Sequence, residues 1–180
     1  MIFSEKCLFH IILLTFSMIS AQEKKAGPII KDFGKVWGIE APDYQIQPDV
    51  ELKVVFDIMD SPEDVSQLNA SIETAARFLN MHAQNGVSTE NMKVALVIHN
   101  RASKDIITNE AYQKRYGVDN PNAGMVSQLM DAGVEFIFCG QSSLSRGFPK
   151  EETLQGVQLS LSSMTALIQL QNEGYRLIKF

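Results

Sequence analysis

The sequence predicts a single α/β domain built on a mainly parallel β-sheet with helices on both faces. Three observations carry that prediction. Short apolar runs alternate with stretches of helical periodicity, the connections are long enough for crossover helices, and the helical stretches close on Gly86, Gly133 and Gly174. With 180 residues, 45% of them hydrophobic, the chain has material for one real core and little room for two.

Residues 1–21 read as an export signal. Lys6 supplies a modest positive start, residues 7–19 are nearly continuously apolar but short for a bilayer span, and Ala21 precedes a polar stretch beginning at Gln22. Cleavage after Ala21 is expected, the competing reading being an uncleaved amino-terminal anchor. Cleavage removes Glu5 and Lys6, one charge of each sign, so the formal net charge stays at −5. It also removes Cys7, leaving Cys139 as a single thiol with no partner for an intramolecular disulfide.

Residues 22–48 form an extended arm punctuated by Gly27-Pro28, Gly34, Gly38, Pro42 and Pro48. Phe33, Val36, Trp37 and Ile39 give it apolar contacts to make, and packing on its own domain is the simpler expectation. Residues 49–180 hold the α/β domain. Residues 52–59 are its first strand, with Asp57 and Asp60 at the far end. Ser61-Pro62-Glu63-Asp64 has the composition of a helix start, and Val65, Leu68, Ile72, Ala75 or Ala76, and Leu79 recur at helical spacing up to Asn85-Gly86. Residues 94–98 are a second strand, ending at His99-Asn100-Arg101. A short helix over 109–116 follows, then a helix opened by Asn120-Pro121 with Met125, Val126, Leu129 and Met130 as its apolar face. Residues 134–138 are a third strand and deliver Cys139-Gly140-Gln141-Ser142. A loop containing Arg146 leads to a last helix marked by Val157, Leu161, Met164 and Ile168, and residues 175–178 are the final strand.

Composition excludes some function classes. A net charge of −5 and a pI near 5.2 give no basic surface for phosphate backbones, so nucleic acid is not an expected partner. No glycine-rich phosphate loop follows any strand, and His82 and His99 have no ligand cluster at metal-binding spacing, so neither cofactor nor metal is expected. A triad of Ser142, His99 and Asp57 can be drawn, but no nucleophile elbow surrounds the serine. Asn69-Ala70-Ser71 matches a glycosylation sequon inside a predicted helix, where a structural role is the simpler reading.

Ligands of parallel sheets gather outside the carboxyl ends of the strands, where Cys139 and His99 both fall. A thiol becomes nucleophilic where its thiolate is stabilised, by an imidazole, a cation or converging N–H groups. Gly140 permits close backbone approach, Gln141 and Ser142 add polar groups, and Asn100 and Arg101 flank the histidine. The plainer readings are a small buried hydrophobe at Cys139, a backbone-satisfied imidazole at His99, and a solvated surface at Arg101, Lys104 and Lys150.

The segments Val94-Ala95-Leu96-Val97-Ile98-His99, Val134-Glu135-Phe136-Ile137-Phe138-Cys139-Gly140-Gln141-Ser142 and Gln171-Asn172-Glu173-Gly174-Tyr175-Arg176-Leu177-Ile178 resemble the DsrE/DsrF-like family, in particular its exported single-domain members. The resemblance runs from about Leu52 onward. It implies a three-layer α/β/α sandwich, assembly into trimers or hexamers, and sulfur handling in which a strand-end cysteine, here Cys139, carries a persulfide. His99 matches the family's strand-end histidine, while Asn100 stands where a glycine is common. The expectation is therefore a periplasmic sulfur-relay protein with no membrane span after cleavage, exchanging sulfur with a small thiol or carrier protein. Cys139 and His99 would do the chemistry, and Gly140, Gln141, Ser142, Asn100 and Arg101 would shape the pocket. The alternative is a non-catalytic oligomeric module that binds a small ligand or partner, with Cys139 buried and inert.

Overall fold

The structure, a computed structural model, describes residues 23–179. The export signal expected over residues 1–21 lies outside the described residues. Among those described, no helix is long and apolar enough to cross a membrane.

Five parallel strands form one sheet: β1 (Leu52–Ile58), β2 (Met92–Ile98), β3 (Glu135–Cys139), β4 (Gln158–Ser160) and β5 (Arg176–Ile178), in the order β4-β3-β2-β1-β5. The helices are α1 (Ala70–Gln84), α2 (Asn109–Tyr116), α3 (Ala123–Asp131), α4 (Gly140–Arg146) and α5 (Ser163–Asn172). Side chains alternate across a strand, so each central strand feeds two cores. Val54, Phe56, Leu96, Ile98, Phe136 and Phe138 join the larger core, which includes Ile72, Ala76 and Leu79 of α1 and Met125 and Leu129 of α3. Val55, Ala95 and Val97 face the other way, against Ala166 and Leu170 of α5. The edge strands β4 and β5 have three residues each, short enough to limit unwanted strand addition.

Four elements, α1, α4, β4 and α5, differ from the sequence prediction. The first helix begins at Ala70, not at residue 61, because the Asn69 side chain accepts the N–H groups of Ser71 (2.9 Å) and Ile72 (3.3 Å) and caps it there. Upstream, the Asp64 carboxylate accepts the Ser66 N–H at 2.9 Å and holds a turn in place of a helical one. Asn69 is buried, and its amide donates to Asp60 O (2.8 Å) and Asp105 Oδ2 (2.7 Å), which gives the sequon asparagine the structural role.

The loop predicted after Cys139 is helix α4, followed by the unpredicted strand β4. The last helix starts only at Ser163, where the Ser162 hydroxyl accepts the Thr165 N–H at 3.1 Å. Val157 precedes β4 and is buried in the larger core, whereas Leu161, Met164 and Ile168 point outward and are 72%, 71% and 59% exposed. Small Ala166 and Leu170 make the buried stripe instead.

The arm packs on its own domain. Ile30 is buried, and Asn80 of α1 accepts the Ile30 N–H (2.9 Å) while donating to the carbonyls of Ile30 (2.9 Å), Phe33 (3.0 Å) and Gly34 (3.1 Å). Gly34 sits at φ +68°, and a β-carbon there would lie 2.6 Å from that of Ala76, so only glycine lets the arm cross α1 this closely.

Candidate functional site

The carboxyl edge of the sheet brings together residues from all five strands. Register pairs Ile58 with Ile98, Ile98 with Phe138, and Cys139 with Ser160, so Asp57, His99 and Cys139 stand on neighbouring strands near one level. Sharing parity with Val55, Val97 and Ile137, they project toward the α5 side.

Cys139 closes β3 and is the N-cap residue of α4. The backbone N–H groups and hydroxyls of Ser142, in α4, and Ser163, the first residue of α5, face its thiol and favour the thiolate. The Ser142 oxygen accepts the Asn100 N–H at 3.0 Å, which leaves its proton for the sulfur. Burial pushes the Cys139 thiol up, but the donors of Ser142 and Ser163 outweigh it and hold the thiol below its ordinary value. The residue is 3% exposed, so this polar nest lies just beneath the surface.

Gly140 makes the nest tight. A β-carbon on it would come within 2.7 Å of the Ser160 carbonyl, so the missing side chain lets α4 press against the end of β4. Asn100 adopts φ +53°, the left-handed conformation that glycine would supply and that asparagine tolerates better than other side chains.

His99 belongs to a second set of groups. Its Nε2 bonds Asp57 Oδ1 at 2.7 Å, and Lys179, just past β5, donates to Asp57 Oδ2 at 2.7 Å. Burial alone would raise the Asp57 carboxyl, but the bonds from Lys179 and His99 prevail and keep it below the usual aspartate value. The Asp–His half of the triad drawn from sequence therefore exists, while the Ser142 hydroxyl accepts the Asn100 N–H and lies beside Cys139. His99 is a strand neighbour of Cys139, but the donor groups of Ser142 and Ser163 are what lower the thiol. Gln141 is exposed and donates to Leu161 O at 3.3 Å, and Arg101 is exposed in an ion pair with Asp60 at 3.0 Å. Among the described residues no three His, Cys, Asp or Glu side chains gather as a metal site.

Ser163 and Lys179 were not among the sequence candidates. The Ser162-Ser163 pair ahead of Ala166 and Leu170 is a helix-start signal that would have placed Ser163 at a strand-edge helix terminus.

The sequence model of the DsrE/DsrF-like family matches residues 53–180, and the chain belongs to that family. Two solved structures share the fold. The protein of unknown function MTH1491 from Methanobacterium thermoautotrophicum is 21% identical with a TM-score of 0.54, over 72% of this chain and 100% of that one. The ychN protein from E. coli is 17% identical with a TM-score of 0.53, over 72% of this chain and 99% of that one. No curated protein matches the chain.

Proposed function

We propose that this protein is an exported sulfur carrier in which Cys139 holds sulfur as a persulfide. The observation that supports this most directly is the convergence of N–H and O–H donors from two helix starts on one sulfur, which favours thiolate despite burial. The reaction is an exchange with no net redox change. The Cys139 thiolate attacks the outer sulfur of a persulfide donor, the donor's S–S bond breaks, a new S–S bond forms at Cys139, and the donor leaves as thiolate. An acceptor thiolate then attacks the same outer sulfur and regenerates Cys139. Gly140, Gln141, Ser142 and Asn100 shape the approach, and His99, anchored by Asp57, borders it, while Arg101, expected there from the sequence, is paired with Asp60 and faces the other side of the sheet edge. Export to the periplasm rests on the apolar run of residues 7–19 and Ala21. Assembly into a homo-oligomer fits the exposed apolar side chains Leu159, Leu161, Met164 and Ile168 beside the site.

Incubation with a persulfide donor followed by intact-mass measurement tests the proposal. Addition of one sulfur atom, abolished by Cys139→Ser, is expected; no addition, or addition that survives the substitution, overturns it. The low exposure of Cys139 favours the second reading, a binding module with an inert thiol. A thiol that is silent in native buffer and reacts only after denaturation would select that reading.

A further inference from the structure

The same edge of the sheet carries a second concavity, on the side of the larger core. A cavity of about 250 Å³ opens between the segment following β1 and the turn following β2, and its apolar wall includes Val65 and Phe148, which pack with that core. Cys139, by contrast, faces α5.

The polar lining is cationic. Arg101, Lys104 and Arg146 border the cavity against a single carboxylate, Glu63. Lys104 is committed, with its ammonium 2.9 Å from Asp105 Oδ1 and 3.3 Å from Tyr112 Oη. Among the described residues Arg101 is held only by exposed Asp60, and an exposed pair of this kind is worth little and exchanges readily. Arg146 donates to the neutral amide oxygen of Asn100 and makes no ion pair among the described residues. Ser61 adds an independent sign of a ligand. It lines the cavity at 9% exposure, and its buried hydroxyl has no hydrogen-bond partner among the described residues. A buried hydroxyl left unpaired is destabilising, an arrangement that rarely persists without a use.

We propose that this cavity binds a small tetrahedral oxyanion of the sulfate or phosphate class, held by Arg101 and Arg146 with the Ser61 hydroxyl as a third donor. The two guanidinium groups match paired anion oxygens, and the size of the cavity suits a small ligand better than a drug-sized one. Arg146 supplies the uncompensated charge and Ser61 the buried contact.

Calorimetric titration with sulfate and with phosphate, at ionic strength held constant with chloride, tests this. The full chain carrying Cys139→Ser is used, so that the result is independent of sulfur chemistry at the thiol. Saturable binding of at least one anion is expected, weakened about tenfold or more by Arg146→Ala. Ser61→Ala is expected to weaken binding while raising the melting temperature of the anion-free protein, because it removes an unpaired buried hydroxyl. The absence of saturable binding by both anions overturns the proposal. So does binding that Arg146→Ala or Ser61→Ala leaves unchanged.

Discussion

The two faces of the sheet are built differently. The α1 and α3 side buries Phe56, Phe136, Phe138, Ile98 and Leu129 completely or nearly so, together with the buried polar cluster in which Asp105 accepts from Asn69 (2.7 Å), Asn122 (3.2 Å) and Lys104 (2.9 Å). Among the described residues the α5 side is covered by one helix with a narrow apolar stripe, and Asp57, His99 and Cys139 emerge at its open end. One face supplies the rigidity; the other, relieved of that task, places ionisable groups and leaves apolar side chains of α5 uncovered. The proposed sulfur site thus falls where the packing is thin.

The largest expected effect tests that division directly. Phe138→Ala removes a fully buried ring from the thick face and should cost about 3–5 kcal/mol. Leu170→Ala acts on the thin face, where the side chain is also buried but the smaller cluster around it permits relaxation, and should cost only about 2 kcal/mol. Urea denaturation of both variants measures the gap. Equal costs would mean that α5 is as much a part of the structural core as α1 and α3.

How much of this was legible in the sequence follows the same division. The thick face was read well: Val94 to Ile98 is a buried strand and Met125, Val126 and Leu129 are a helix face, because strong apolar periodicity records deep burial. The thin face was read less well. Leu161, Met164 and Ile168 looked like a core stripe because periodicity does not say which side of a helix meets the sheet, and here Ala166 and Leu170 do. At the site, strand-end logic located Cys139 and His99, whereas the partners of each depend on strand order. The neighbour of β2 on one side is β1, so His99 meets Asp57, and the neighbour of β3 on the other is β4, so the chain returns Ser163 to the thiol. Pairings between residues 42 and 24 positions apart in sequence carry no local signature.

Asp57 gives the next prediction, of intermediate size. Its folded pKa lies below the unfolded value, so its stabilising contribution is fully present above the unfolded pKa and is lost as pH falls through the folded one. Asp57→Asn should therefore lower the melting temperature at neutral pH, and the gap from the unsubstituted protein should close as pH drops below 3.8, the ordinary aspartate value. Thermal melts across that range measure it. A gap independent of pH would mean that the carboxylate's charge contributes nothing beyond its shape.

The smallest effect separates the two sets of groups at the thin edge. The Cys139 thiol titrates below the ordinary 9.0 in the folded chain, so its alkylation by iodoacetamide should rise with pH to a midpoint below that value. Ser163→Ala keeps the backbone N–H but removes one hydroxyl donor, so the midpoint should move upward by a fraction of a pH unit. Asp57→Asn perturbs only the His99 set and should leave the midpoint where it is. If Asp57→Asn moves it and Ser163→Ala does not, the imidazole rather than the two helix starts sets the thiol's acidity. The groups on the thin face would then act as one coupled unit, with its charge drawn from β1 and β2.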